Sequence, residues 1–221
     1  ANIDDGDVLE AIGTTDTREM SLAVIQRELE GAPGSELSVA VVRPRQAVPE
    51  KVTMTRVMVT PPAVQGTLYE NSTILYIKPG VLDHDHVQQI EAKLKGMQKA
   101  GSKKILLDLR DVAGGDMAEA TRLANFFLKT GTIAVLEGQK FPKQTFEAEA
   151  KLAINATAPM VVIVNRGTAG PAELVAGALL DNKRAELVGE RTFGEGAKQK
   201  TFELPDGAAV IRRTAPPQHP A

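Results

Sequence analysis

The sequence predicts an α/β protein whose larger part is built on a mostly parallel sheet. Strand-like and helix-like segments alternate from residue 66 onward, an order that places right-handed crossovers between parallel strands. Two of these strands, 104–109 and 160–164, are near-continuous apolar runs of the kind found in sheets covered on both faces. The composition is that of a globular protein, with 43% hydrophobic and 24% charged residues in 221.

The first 56 residues predict a smaller, separate unit. Leu22, Ile25 and Leu29 repeat at helical spacing, and the turn residues at 31–34 end that helix. The predicted elements are strands at 8–12, 37–42 and 52–57 and a helix at 21–29. Pro61 and Pro62 fix the backbone in an extended form. We therefore expect a unit at 1–56 and a linker at 57–65.

The core unit is predicted at 66–215. Val87, Ile90, Leu94 and Met97 form the apolar stripe of a helix that faces the sheet. The predicted strands are 73–77, 104–109, 132–136, 160–164, 185–188, 199–204 and 208–212, and the predicted helices include 118–128, 145–152 and 171–180. Pro205-Asp206-Gly207 predicts a turn between the last two strands. The prolines at 216–221 predict a tail that adds no strand.

Composition excludes several classes of function. The net charge of −2 provides no basic surface for nucleic acid, and no apolar run is long enough for a membrane span. The absence of cysteine removes disulfides and thiolate sites. Asp83-His84-Asp85-His86 resembles a metal cluster, but its position before a helix favours an N-cap with acidic first-turn residues. We expect no cofactor and no resident metal.

The most specific local pattern is N-R-G-T-A-G-P-A-E-L-V-A-G-A-L at 165–179. A buried strand ends at Val164, and a helix begins after a tight turn, with Gly170 as N-cap and Pro171 in the first helical position. The start of a helix presents free backbone N–H groups and a partial positive charge. An oxyanion or a nucleophile suits such a place, although a plain helix start explains the two residues equally well.

Several motifs resemble the C-terminal-processing (tail-specific) serine peptidases. Leu107-Asp108-Leu109-Arg110 with Gly114-Gly115 is similar to the family's L-D-L-R-x-N-x-G-G. The segment 167–179 is similar to its G-S-A-S-A-S-E-I-x-A-G-A-L, and 188–199 to its V-G-E-R-T-F-G-K-G-x-x-Q. Leu204 to Gly207 matches its L-P-D-G turn. Gly6-Asp7-Val8 and the helix that follows resemble the second half of a PDZ domain.

The resemblance implies a Ser–Lys dyad, and this chain departs from it. The family's nucleophilic serine falls on Gly170, and its general-base lysine falls on Glu195, 25 residues later as in the family. The next oxyanion-hole donor falls on Pro171, which has no N–H. The orienting glutamine is kept as Gln199. Gly114 and Gly115 keep the other oxyanion-hole loop, where the family's asparagine is Val112.

No serine follows Ser102, so no shifted serine is available in the same loop. Thr168 carries the one nearby hydroxyl, but no lysine or histidine occupies the base position. Glu195 is interpreted as a solvated carboxylate, or as a partner of Lys198 or Arg191. If it instead faces the helix start, it would select basic or amide-donating groups. Asp108 and Arg110 are interpreted as an ion pair or loop anchor.

The resemblance implies an N-terminally incomplete PDZ-like unit followed by a crotonase-like peptidase core. We expect a catalytically inactive homologue that binds peptides or protein C-termini, does not bind nucleic acid, and can form a homo-oligomer. Family resemblance places it outside the cytoplasm, in the periplasm or secreted. The alternatives are an active serine-type endopeptidase with a rearranged site, and a structural assembly subunit.

Overall fold

A computed structural model describes residues 3, 6–20, 22–44, 46, 48–100, 103–138, 141–195, 198–203, 209–215 and 217–218. The chain divides into two compact units, Ala1–Thr60 and Pro61–Ala221. The division falls within the segment 57–65, where the sequence predicts the linker. The predicted turn at Pro205-Asp206-Gly207 lies outside the described residues.

The first unit is a four-stranded sheet in the order β2-β1-β3-β4 with one helix. Its elements are β1 (Val8–Ile12), β2 (Thr15–Asp16), α1 (Leu22–Leu29), β3 (Glu36–Val42) and β4 (Glu50–Thr55). Val39 and Val41 are 1% exposed and form its small core with Ile12 and Leu37. The Arg56 guanidinium donates to Glu28 O at 2.9 Å and Leu29 O at 3.0 Å, which satisfies carbonyls at the end of α1.

The second unit contains a five-stranded sheet in the order β11-β10-β7-β6-β5. Its strands are β5 (Gln65–Tyr69), β6 (Ile74–Lys78), β7 (Lys104–Asp108), β10 (Met160–Val164) and β11 (Glu186–Gly189). All neighbouring pairs are parallel except β5 with β6. The prediction of a mostly parallel sheet is confirmed.

Three helices of the second unit contribute to the core against one face of this sheet. They are α2 (His84–Ala100), α3 (Met117–Asn125) and α4 (Pro171–Asp181). The predicted stripe of α2 is buried, with Ile90 and Leu94 fully inaccessible, in one cluster with Leu107 and Val162. Burial alternates along β10, so its other face is half-exposed. The described elements therefore cover one face fully, although the apolar runs predict two covered faces.

We expect Ile90→Ala and Leu107→Ala each to lower the free energy of unfolding by about 2–5 kcal/mol, because each leaves a cavity in this core. Denaturant titration of the purified chain measures the effect. Val188→Ala is the control, since Val188 is 53% exposed and its truncation opens no cavity. Unchanged stability in both core variants would contradict the packing of α2 on the sheet.

Two predictions of secondary structure are wrong. The helix expected at 145–152 is instead the end of β9 (Phe141–Glu147) followed by a short 3-10 helix (Ala150–Leu152). β9 pairs with β8 (Thr132–Gly138), so a nonlocal ladder overrides the local helical preference. The tail also adds a strand, since β14 (Pro217–Gln218) pairs with Leu136 and Val135 of β8. A proline is tolerated there because β14 has one paired neighbour, β8.

The remaining strands, β12 (Lys198–Glu203) and β13 (Ala209–Ala215), form a separate antiparallel pair. Within the part of the chain that the structure describes, none of the helices combines the length and hydrophobicity that crossing a bilayer requires.

Candidate functional site

Two loops that carry the peptidase-like motifs meet at the carboxyl ends of β7 and β10. They are residues 110–115 and 165–170. Residue Ala169, after β10, donates its N–H to Val112 O at 3.1 Å. Asp111 and Asn165 clamp the same loops by two reciprocal hydrogen bonds, of 3.0 Å from the Asp111 N–H and 2.8 Å from the Asn165 amide. Asp111 has a φ of 62°, which is uncommon without glycine. The loops at 110–115 and 165–170 are thus held in contact.

Gly114 and Gly115 form a loop that packs directly against Leu82. Gly114 O accepts from the Leu82 N–H at 3.0 Å, and Leu82 O accepts from the Asp116 N–H at 2.9 Å. Gly115 has a φ of 128°, and a Cβ there would meet Leu82 O at 2.3 Å, so glycine is required. Within the described residues its own N–H has no hydrogen-bond acceptor. This N–H is available to bind an oxyanion or a carbonyl oxygen.

Gly170 and Pro171 begin α4 as the sequence predicts. Gly170 is the N-cap residue with φ 53° and ψ −113°, and Pro171 occupies the first helical position. The Gly170 N–H donates to Oε2 of Glu173 at 3.0 Å. Pro171 has no backbone N–H. One of the donors that the family resemblance implies for the oxyanion hole is therefore absent.

Glu173 fastens a distant loop to this helix start. Besides Gly170, its carboxylate accepts the N–H of Gly194 at 2.7 Å and of Glu195 at 2.8 Å. One carboxylate thus accepts three backbone N–H groups, one at the start of α4 and two from residues 21 and 22 positions after Glu173. Sequence reasoning gave this residue no role, although an acidic residue three positions after an N-cap is a capping-box signal.

The positions of the family's nucleophile and base lie close together. A Cβ on Gly170 would lie 3.5 Å from Oε2 of Glu195 and 3.8 Å from Ala113 O. Glu195 is partly buried and directs its carboxylate to this place. A carboxylate therefore lies at the helix start, where the resemblance places a lysine amine.

Thr168 is fully buried and its hydroxyl is engaged. It donates to Leu109 O at 2.8 Å and accepts the Asn165 N–H at 3.0 Å. Thr168 O also accepts the Phe193 N–H at 3.0 Å. These bonds make Thr168 a structural tie between loops.

Asp108 and Arg110 form the expected ion pair. The guanidinium donates to both carboxylate oxygens, at 2.9 and 2.6 Å, and Tyr76 Oη donates to the carboxylate at 2.8 Å. Burial of Asp108 opposes its ionisation, but the hydrogen bonds from Arg110 and Tyr76 outweigh it and hold the pKa of the carboxyl below its usual value. Burial and the hydrogen bond to Asp108 raise the pKa of Tyr76. The pair anchors the start of the 110–115 loop.

The cluster at 83–86 caps α2, as the sequence predicts. Asp83 Oδ1 accepts the His86 N–H at 2.8 Å and contacts Nδ1 of the same ring at 2.6 Å. The other ring nitrogen faces Pro62 O at 3.1 Å. His84 faces Glu119 at 2.9 Å. Gln199 lies in β12, but its side chain, like that of Lys198, lies outside the described part of the chain.

Comparison with known proteins finds relatives along almost the whole chain. The model of peptidase family S41 matches residues 73–218. The carboxyl-terminal-processing protease of Synechocystis sp. is 31% identical, with 99% of this chain and 52% of that protein covered. The chloroplastic carboxyl-terminal-processing peptidase 2 of Arabidopsis thaliana is 32% identical, with 99% and 44% covered. This chain spans about half the length of the curated relatives it matches.

A solved structure has the same fold. The photosystem II D1 C-terminal processing protease superposes with a TM-score of 0.83 at 26% sequence identity. The match covers 97% of this chain and 58% of that one. It includes both units of the present chain, each with its own core.

Proposed function

Because this chain belongs to peptidase family S41, we propose that it is a non-catalytic member that acts by binding peptides or protein C-termini. The observation that carries the proposal is the pair Gly170 and Glu195. The first provides no nucleophile, and the second places a carboxylate 3.5 Å from where a side chain at 170 would begin.

Three parts of one mechanism are missing together. A peptidase of this kind needs a hydroxyl to attack, a base to take its proton, and donors for the oxyanion. A positioned general base contributes about 10²–10⁴ in rate, and one oxyanion donor about 10²–10³. Such parts act as a unit, so the loss of the nucleophile alone removes most of the activity.

A rearranged site at Thr168 is the rival proposal. Its hydroxyl is fully buried and bonded to Leu109 O and to the Asn165 N–H, so attack on a substrate would require that loop to open. A structural assembly role has no observation of its own in its favour. Binding therefore remains the proposal that the geometry supports best.

The names of the relatives suggest the ligand class. The two curated relatives reported above are called carboxyl-terminal-processing enzymes, and the one from Arabidopsis thaliana is described as chloroplastic. We propose that this chain binds protein C-termini at the loops 110–115 and 165–170, and that the PDZ-like first unit is a peptide-binding unit of its own. We propose an extracytoplasmic location on the same grounds.

We expect turnover at background level when the purified chain is incubated with an unstructured protein and the products are read by mass spectrometry. We also expect no labelling by fluorophosphonates, since the described loops place no serine at the helix start. Cleavage that persists through further purification and disappears in Thr168→Ala would overturn the proposal and favour the rearranged site.

At the helix start we expect Glu195 to select basic or amide-donating groups in a bound peptide. Its carboxylate lies over Gly170, where the resemblance places the serine and the substrate carbonyl. Calorimetry with matched basic and acidic peptides measures the preference, and Glu195→Gln should lower affinity for the basic peptide by about fivefold to tenfold. Glu186→Gln, which removes an exposed carboxylate at the opposite end of the sheet, is the control. Equal affinities in both proteins would show that binding lies elsewhere.

A further inference from the structure

A cleft of about 670 Å³ lies at the amino ends of the parallel strands, at the opposite end of the sheet from the candidate site. Its interior is aliphatic and is lined by Ile74, Leu106, Met160, Val161 and Leu180. The volume falls within the range of small-molecule sites, which are mostly apolar with few polar groups.

The charged groups of the cleft are mostly cationic. Lys104, Lys183 and Arg184 line it, together with one carboxylate, Glu186. Neither lysine makes an ion pair within the residues that the structure describes. The side chains of the cleft therefore carry three positive charges and one negative charge.

Arg184 gives an independent reason to expect an anion. Its guanidinium is partly buried and donates to Phe127 O and Asn155 O, each at 3.0 Å. Both acceptors are neutral carbonyls, and among the described residues no carboxylate pairs with it. Burial without a counter-charge lowers the pKa of Arg184. These two bonds use Nε and Nη2, and Nη1 has no acceptor among the described residues, so an anion in this cleft can supply one.

The lining also distinguishes between kinds of anion. It contains no hydroxyl or amide side chain that could receive a peptide backbone, whose N–H and C=O groups need partners. The strand backbones at β6, β7 and β10 are paired within the sheet. A hydrocarbon chain has no groups that need hydrogen-bond partners, and its transfer from water to an apolar cleft is favourable in free energy.

We propose that this cleft binds an aliphatic carboxylate of the fatty-acid class, with the chain against Leu106 and Val161 and the headgroup near Lys183 and Arg184. This site is separate from the loops of the proposed function and does not depend on them.

Dodecanoate is the probe, used below the concentration at which it forms micelles. We expect saturable one-to-one binding by calorimetry, and methyl NMR shifts at Leu106 and Val161 that exceed those at Leu109. Dodecyltrimethylammonium, with the same chain and a cationic headgroup, should bind about tenfold or more weakly. Absence of dodecanoate binding, or equal affinity for the two amphiphiles, would overturn the proposal.

A pair of variants at Leu180, which is 48% exposed, separates charge from hydrophobicity. Leu180→Glu and Leu180→Lys lose the same apolar contact. We expect Leu180→Glu to weaken dodecanoate binding about tenfold relative to Leu180→Lys, because it adds a like charge beside the headgroup. Thermal midpoints of both variants serve to confirm folding. Equal affinities in two folded variants would contradict an anion at this place.

Discussion

The triple variant Gly170→Ser, Pro171→Ala, Glu195→Lys should cleave an unstructured protein at least about a hundredfold above the background of the natural chain. The physical reason is that the two loops already meet. A Cβ at 170 would lie 3.5 Å from Oε2 of Glu195, so the backbone positions at 170 and 195 are close enough for a serine hydroxyl and a lysine amine to meet. Mass spectrometry of the products measures the gain.

The double variant that keeps Pro171 is the matched control. It has the nucleophile and the base but lacks one backbone donor, so we expect the triple variant to exceed it by about 10²–10³. Single changes at 170 or 195 should remain at background, because these groups act as a unit. A folded triple variant with no activity would contradict the inference that this scaffold keeps catalytic geometry.

Glu173→Ala should release the loop at 193–195 from α4. Three backbone N–H groups lose a charged acceptor, at a cost of about 3 kcal/mol or more in local stability. We therefore expect amide hydrogen exchange at Gly194 and Glu195 to accelerate by about a hundredfold or more. Glu173→Gln should have an intermediate effect, since its carbonyl oxygen can still accept the N–H groups of Gly170 and Glu195, whereas its N–H₂ group would face the Gly194 N–H without accepting it.

The control is Glu190→Ala, which removes an exposed carboxylate that contacts Arg166 at 3.6 Å. It should leave the exchange rates of Gly194 and Glu195 unchanged. If Glu173→Ala has equally little effect, then the three hydrogen bonds do not hold the loop, and the position of Glu195 over Gly170 has another cause.

Elements whose pattern is local could be predicted from sequence. The strand at Met160–Val164 and the start of α4 at Pro171 are found where the apolar run and the Gly-Pro pair place them. β9 could not be predicted in this way, because its strand conformation depends on pairing with β8. The short β14 depends on the same partner, Val135 and Leu136, about 80 residues earlier in sequence.

In the candidate site, too, some features follow from local sequence and others depend on contacts between distant segments. The positions Gly170 and Glu195 follow from motif spacing, but the bonds that bring them together do not. Glu173 reaches the amides of residues 194 and 195 through the fold, and no spacing rule predicts an acceptor for backbone groups that distant. Thr168 is a second example. The sequence shows that it has a hydroxyl, but only the structure shows that it is buried and bonded to Leu109 O.

The backbone of Gly170 also bears on how this chain can evolve. A residue with a side chain would store about 1–3 kcal/mol of conformational strain at φ 53° and ψ −113°. An enzyme that keeps a serine there trades stability for activity, whereas glycine relieves that strain. The stability gained is a reserve against destabilising substitutions elsewhere, such as new side chains on a binding surface. A glycine at this position thus widens the range of mutations that this fold can accept.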